Sequence, residues 1–219
     1  QRPAQVLARI VEFLLPRSPR RRIVFAEVGV FLGNLSEELL RLVPSGIGEM
    51  HLVDPWDNNA EFRSIRGDME TAWPVQNGHA YMSHVRRKMQ TLKGSAFCGV
   101  HPYVLPDSNC FSDPSRVAVT IHHEKSTTAA QSLGSLQSVD RGLFDLVFID
   151  GSHEFEDVLS DFESWWPLVR PGGVLAGHDF SVDHLGVPLA LLHFLDVTLK
   201  MKHAPEVILD AAPVFWLRK

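Results

Sequence analysis

Cysteine is nearly absent from this chain of 219 residues, which holds only Cys98 and Cys110. Two cysteines are too few for a disulfide-stapled scaffold, lack the paired spacing of a zinc site and say little about redox compartment. Long hydrophobic runs are missing as well. The stretch Ile10 to Leu15 is interrupted by Glu12, and it falls far short of the roughly 18 to 20 apolar residues needed to cross a bilayer. No membrane segment is expected within the chain, and its start does not resemble a signal peptide. A cytoplasmic location is the default for this stretch of sequence, although it opens at Gln1 and so leaves open a targeting segment before it. An excess of positive charge is also lacking: 21 Lys and Arg against 26 Asp and Glu leave −5. That balance disfavours a general polyanion binder, so nucleic acid is not an expected partner. The G-x-G-x-x-G turn of nicotinamide dehydrogenases is absent too, which sets that class aside. What is present, 45% hydrophobic and 21% charged residues, matches one large globular domain.

Along the chain, Val6, Leu7, Ile10, Val11, Leu14 and Leu15 recur at helical spacing from Pro3 onward, which predicts an amphipathic helix ending before Pro16. Residues 1–22 thus form a helix and a basic connector, Pro16 to Arg22, that reads as a solvated turn rather than a phosphate or RNA patch. From Ile23 the pattern changes. Short β-branched runs at Ile23 to Gly29, Glu49 to Asp54, Val117 to His122, Phe144 to Asp150 and Val174 to Asp179 have the character of strands buried on both faces. Helical patterns at Leu35 to Leu42, His79 to Leu92, Thr127 to Leu136, Phe155 to Leu168 and Val187 to Leu199 alternate with them. Such alternation predicts an α/β fold, a doubly wound, mostly parallel sheet over residues 23–219. Two last runs, Glu206 to Leu209 and Val214 to Leu217, are joined by too few residues for a crossover. The last of seven strands should therefore be antiparallel. Lys93 to Arg116, rich in Gly, Pro, Ser, Asp and Asn, reads as a surface insertion.

Ligands of doubly wound sheets sit at the carboxyl ends of the strands. There the sequence places Glu27, Asp54, Glu124, Asp150, His153, His178 and Asp179. Gly29 and Gly33 in the first turn let backbone approach a ligand. Asp54 is placed to accept from both hydroxyls of a ribose, and equally to start the turn at Pro55. Trp165, Trp166 and Trp216 read as core.

Glu27-x-Gly29-x-x-x-Gly33, Val53-Asp54-Pro55-Trp56-Asp57, Phe144 through His153, and Leu168-x-x-Pro171-Gly172-Gly173-Val174-Leu175-x-Gly177-His178-Asp179 together resemble class I S-adenosylmethionine-dependent methyltransferases. The resemblance is strongest to the branch with bacterial sugar O-methyltransferases, and it covers Ile23 to Lys219 apart from residues 93–116. It implies a Rossmann-like sheet with an antiparallel last strand. It also implies that Glu27, Gly29 and Gly33 face the methionine part of the cofactor, that Asp54 holds the ribose, and that Ser126 lies by the adenine. Ser126 reads equally as a plain helix N-cap. In metal-dependent relatives, acids at the ends of the fourth and fifth strands hold magnesium. Asp150, His178 and Asp179 fall on those positions, and His178 is a departure, because a hard ion prefers oxygen. Magnesium, manganese, another divalent ion or none at all are the open readings. His153 falls where some sugar methyltransferases carry a general base, with a packing histidine at a helix start as the other reading.

The expected activity is methyl transfer from S-adenosylmethionine to an oxygen of a small acceptor, a sugar or another polyhydroxylated compound, with Asp150 and His153 as catalytic residues. The alternative is an inactive methyltransferase-like scaffold or assembly protein. A homo-oligomer is compatible with the sequence.

Overall fold

The structure, a computed structural model, describes residues 2–18, 22–56, 78–101, 113, 115–135, 142–200, 207–210 and 212–219. Asp57, Cys110, Glu206 and most of the second half of the 93–116 stretch lie outside them.

The first strand, β1 (Ile23–Val28), is buried at every position, Glu27 included, as a strand must be when both faces of a sheet are covered. It is flanked by β2 (Ile47–Val53) and β5 (Phe144–Ile149), both parallel to it. Outward from β2 come β4 (Val117–His122) and β3 (Ser95–His101); outward from β5 come β6 (Val169–Gly177), β8 (Phe215–Arg218) and β7 (Val207–Leu209). The order is β3-β4-β2-β1-β5-β6-β8-β7, and β8 runs antiparallel to both of its neighbours. The expected antiparallel last strand is therefore present.

Two expectations are revised. Among the described residues the sheet has eight strands rather than seven, because the stretch read as an insertion opens with β3, a parallel edge strand on β4. The turn at Pro171-Gly172-Gly173 does not precede the fifth strand but interrupts it. Pairing jumps from Phe144–Val169 to Leu146–Val174, a bulge with Gly172 at φ +76°. Lys219 clamps that bulge, donating from Nζ to the carbonyls of Trp166, Pro167 and Val169 at 2.8–3.2 Å.

Helices cover both faces. On one side α1 (Pro3–Leu14), α2 (Asn34–Leu42) and α3 (Gly78–Thr91) enclose Phe25, Met50, Leu52, Leu146 and Phe148. The N-terminal helix contributes Val6, Leu7, Ile10, Val11 and Leu14 to that same core. On the other side α4 (Ser126–Ser135), α5 (Phe155–Trp165) and α6 (Gly186–His193), which continues as a wider turn over Phe194–Thr198, pack on Val24, Ala26, Val147 and Leu175. Trp165 is fully buried here against Phe144, with ring centroids 5.7 Å apart. No helix among the described residues is long and apolar enough to cross a membrane.

At the amino edge the sheet is fixed by Asp145. Its carboxylate is wholly buried, accepts from Val24 N at 2.8 Å and pairs with the Arg170 guanidinium. The connector arginines behave similarly: Arg17 donates to Phe13 O and Arg22 to the carbonyls of Ile47 and Arg116.

Candidate active site

Parallel strands bring their carboxyl ends to one edge, and the turn after β1 is tightly packed there. Gly29 has φ +88°, and a Cβ there would stand 2.2 Å from Asp150 O. Only glycine fits on both counts, the backbone sign and the close approach of β5. Gly33, at φ +67°, starts α2. Asp54 ends β2 and turns back onto this turn. Its Oδ2 accepts from the N–H groups of Val30 and Phe31, both at 2.9 Å, and its Oδ1 from Trp56 N at 2.6 Å. Trp56 adds a bond from Nε1 to Phe31 O at 2.8 Å. The carboxylate thus shapes the turn after β1, a role that the sequence reading covered only as a turn start.

Glu27 lies beneath, 2% exposed. Burial pushes its carboxyl up to about 8, against the Ser36 hydroxyl bonded to it and with the charges of Asp150 and Asp54 adding to the rise. Among the described residues it has no salt bridge within 4 Å. A buried acid offset only by a hydroxyl and the more distant charge of Lys88 favours an incoming cation. Ser126 opens α4, as expected, but its hydroxyl is engaged by the α5 helix: it accepts from Trp165 Nε1 at 2.7 Å and bonds Asp161. Burial raises Asp161 to about 6, with the Ser126 bond opposing.

Asp150, His178, Asp179 and His153 converge. His178 Nδ1 lies 3.2 Å from Asp150 Oδ1 and 3.2 Å from Asp179 Oδ2, while His153 Nε2 lies 2.8 Å from the same Asp179 oxygen. Asp179 can serve both histidines because its backbone is left-handed, φ +55°, which reverses the chain after β6. Burial works against a charged His178, but the bonds and charges of the two carboxylates outweigh it and raise its pKa to about 10. Burial likewise works against a charged Asp179, and the bonds and charges of His178 and His153 hold it below the ordinary carboxylate range. These residues line a cleft floored by Ile149 and Phe215.

The structure adds His184, which no motif marked. It sits in a short turn after β6, its ring 4.0 Å from that of His153 and its Nε2 4.0 Å from Asp179 Oδ1. Gly186 makes this possible, since a Cβ there would stand 2.0 Å from His153 O.

The donors fit a divalent ion. One ligand atom each from Asp150, His178 and Asp179 lies within 4.8 Å of the others, and a second such group, His153, Asp179 and His184, shares Asp179. The imidazolium that now bridges two carboxylates supplies the positive charge that a cation would bring. Nitrogen in the set suits manganese, iron or zinc better than magnesium.

A stretch of 52 residues is 36% identical to y4gI, an uncharacterized protein of Sinorhizobium fredii, and spans 24% of this chain and 6% of that one. Among solved structures the fold resembles CalS11, described as a TDP-rhamnose 3′-O-methyltransferase of calicheamicin biosynthesis, with TM-score 0.57, 14% identity and coverage of 97% of this chain and 77% of that one. It also resembles TomG, an O-methyltransferase from Streptomyces achromogenes solved with S-adenosylmethionine, at TM-score 0.54, 12% identity and coverage of 97% and 78%. A family model described as a methyltransferase domain matches residues 26–180, from inside β1 to the residue after Asp179, and the chain belongs to that family.

Proposed function

We propose that the chain is an S-adenosylmethionine-dependent O-methyltransferase acting on a small polyhydroxylated acceptor such as a sugar. The observation that carries this reading is the convergence of Asp150, His178 and Asp179 with a histidine, His153, that shares Asp179. The likeness of the fold to CalS11 supports a sugar acceptor. When bound, the cofactor supplies an electrophilic sulfonium methyl, and a divalent ion held by Asp150, His178 and Asp179 supplies Lewis acidity at the acceptor oxygen.

The chain's own residues do the rest. Glu27 receives the cofactor's ammonium group, whose charge compensates a carboxyl that burial otherwise keeps protonated. The Gly29 to Gly33 turn brings backbone to the methionine end. Asp54 serves the ribose while holding that turn, and Ser126 stands where the adenine edge is expected. His153 takes the acceptor proton, and the Asp179 carboxylate 2.8 Å from its Nε2 stabilises the imidazolium that results. The catalytic domain spans residues 23–219, with 1–22 as its lead-in helix and connector.

Calorimetric titration with S-adenosylmethionine, followed by transfer assays on nucleotide sugars and free polyols, tests the reading. Cofactor binding with turnover on a hydroxylated acceptor is expected. Absence of cofactor binding overturns it in favour of a methyltransferase-like scaffold.

A further inference from the structure

A second group of imidazoles stands on the other side of β1, away from the cleft. His51 on β2, His122 at the end of β4 and His101 at the end of β3 share one sheet face, for Val53 pairs with His122 and His101 pairs with His122. Glu124 follows two residues after His122. His101 Nδ1 lies 2.9 Å from Glu124 Oε1, and His122 Nδ1 lies 3.7 Å from the same oxygen.

An ordinary ion pair between His101 and Glu124 accounts for two of these groups and leaves the third unexplained. The His122 side chain is 4% exposed, and its Nδ1 is buried with no hydrogen-bond partner among the described residues. A buried polar atom left without a bond costs about 1 to 3 kcal/mol, and native structures rarely keep one without a reason. The other ring nitrogen of His122, Nε2, is engaged 3.0 Å from His51 Nδ1, with the two rings stacked at 5.2 Å. That is the arrangement by which an outer partner fixes the tautomer and aim of a ligating histidine.

We infer that His101, His122 and Glu124 form a second metal site, suited to a borderline cation such as Zn²⁺ and separate from the group around Asp179. One ligand atom from each of the three lies within 4.8 Å of the others. An ion about 2.0 to 2.2 Å from each of three donors in tetrahedral geometry sets those donors roughly 3.4 Å apart, and solvent completes the coordination. The two distances to Glu124 Oε1, 2.9 and 3.7 Å, straddle that spacing. Two nitrogens and one oxygen select zinc over magnesium or calcium, which take oxygen donors. Such an ion ties the edge strand β3, which has one strand neighbour, to the loop between β4 and α4.

The test uses the full chain carrying Asp150→Asn and Asp179→Asn, so that the cleft cannot supply the signal, and it does not depend on the proposed activity. After removal of metals with EDTA and then of the chelator, the protein is titrated with Co²⁺ alone. One equivalent should bind with visible d–d absorption and be displaced by one equivalent of Zn²⁺, and Zn²⁺ should raise Tm because it binds the native state. His101→Asn and Glu124→Gln, added singly, should each weaken Zn²⁺ binding about 100-fold with unchanged far-ultraviolet circular dichroism. Both positions are partly exposed, which spares the buried His122. Absence of saturable Co²⁺ or Zn²⁺ binding in the doubly substituted chain, or binding undiminished by both added substitutions, overturns the inference.

Discussion

Two clusters of imidazole and carboxylate occupy the same sheet edge with different environments. Around Asp179, two carboxylates and two histidines share bonds on the wall of an open cleft, with side chains about one fifth to one quarter exposed. Around His122, a single carboxylate meets three histidines at the protected end of edge strands. There burial drives His51 down to about 4, and burial with the neighbouring His51 and His101 drives His122 down to about 3. In the cleft the carboxylates outweigh burial and His178 is held protonated; at the edge burial wins, and His51 and His122 stay neutral. The same residue type thus becomes a charge in one place and a lone pair in the other, according to how many acids stand beside it.

The strongest way to break this contrast is Asp179→Asn, which removes the acid that serves both cleft histidines. Methyl transfer should fall to the level seen in excess EDTA, while calorimetry still detects the cofactor. Full turnover in excess EDTA would remove the ion from the reaction and leave His153 as base. His153→Ala should lower turnover by roughly 10²- to 10⁴-fold, while metal titration of the variant should be little changed. Asp54→Ala should weaken cofactor binding by about 1 to 3 kcal/mol in calorimetry, because an ionised acceptor is lost both to the ribose and to the turn it holds.

The smallest expected effect sharpens the comparison at Glu27, an acid that burial keeps protonated. Its folded pKa, about 8, lies above the ordinary 4.5. Its contribution to the cofactor-free protein is therefore fully present below about pH 4.5 and is lost as pH rises through about 8. Glu27→Gln should flatten that decline, making the variant more stable than the parent at pH 8 in chemical denaturation, and it should abolish the gain in stability that S-adenosylmethionine gives. A parent whose stability is level between pH 4.5 and 8 would contradict the assignment.

Much of the fold was legible because β1 and β5 are apolar at every position but one, Glu27 and Asp145, and each is buried throughout. The β3 strand was not legible, since Ser95-Ala96-Phe97-Cys98-Gly99-Val100-His101 has few β-branched residues and pairs on one side only. A bulge hid the start of β6, where glycine and proline read as a turn. At the site, Asp150, His153, His178 and Asp179 were found because strand ends and motif spacing mark them. His184 was not, because its place depends on the left-handed backbone of Asp179, and a sign of φ leaves no pattern in the sequence. Of the edge cluster, Glu124 was noted as a polar residue after a strand. The signal for the rest was available in histidines at 51, 101 and 122, but their shared face depends on a pairing with β3 that had not been read.

Gly186 bears on spacing. With the start of α6 pressed so closely on the carbonyl of His153 that no side-chain carbon fits between them, a methyl group at that position would wedge the β5–α5 and β6–α6 loops apart and carry the ring of His184 away from that of His153. The lack of one side chain thus sets the distance between two others.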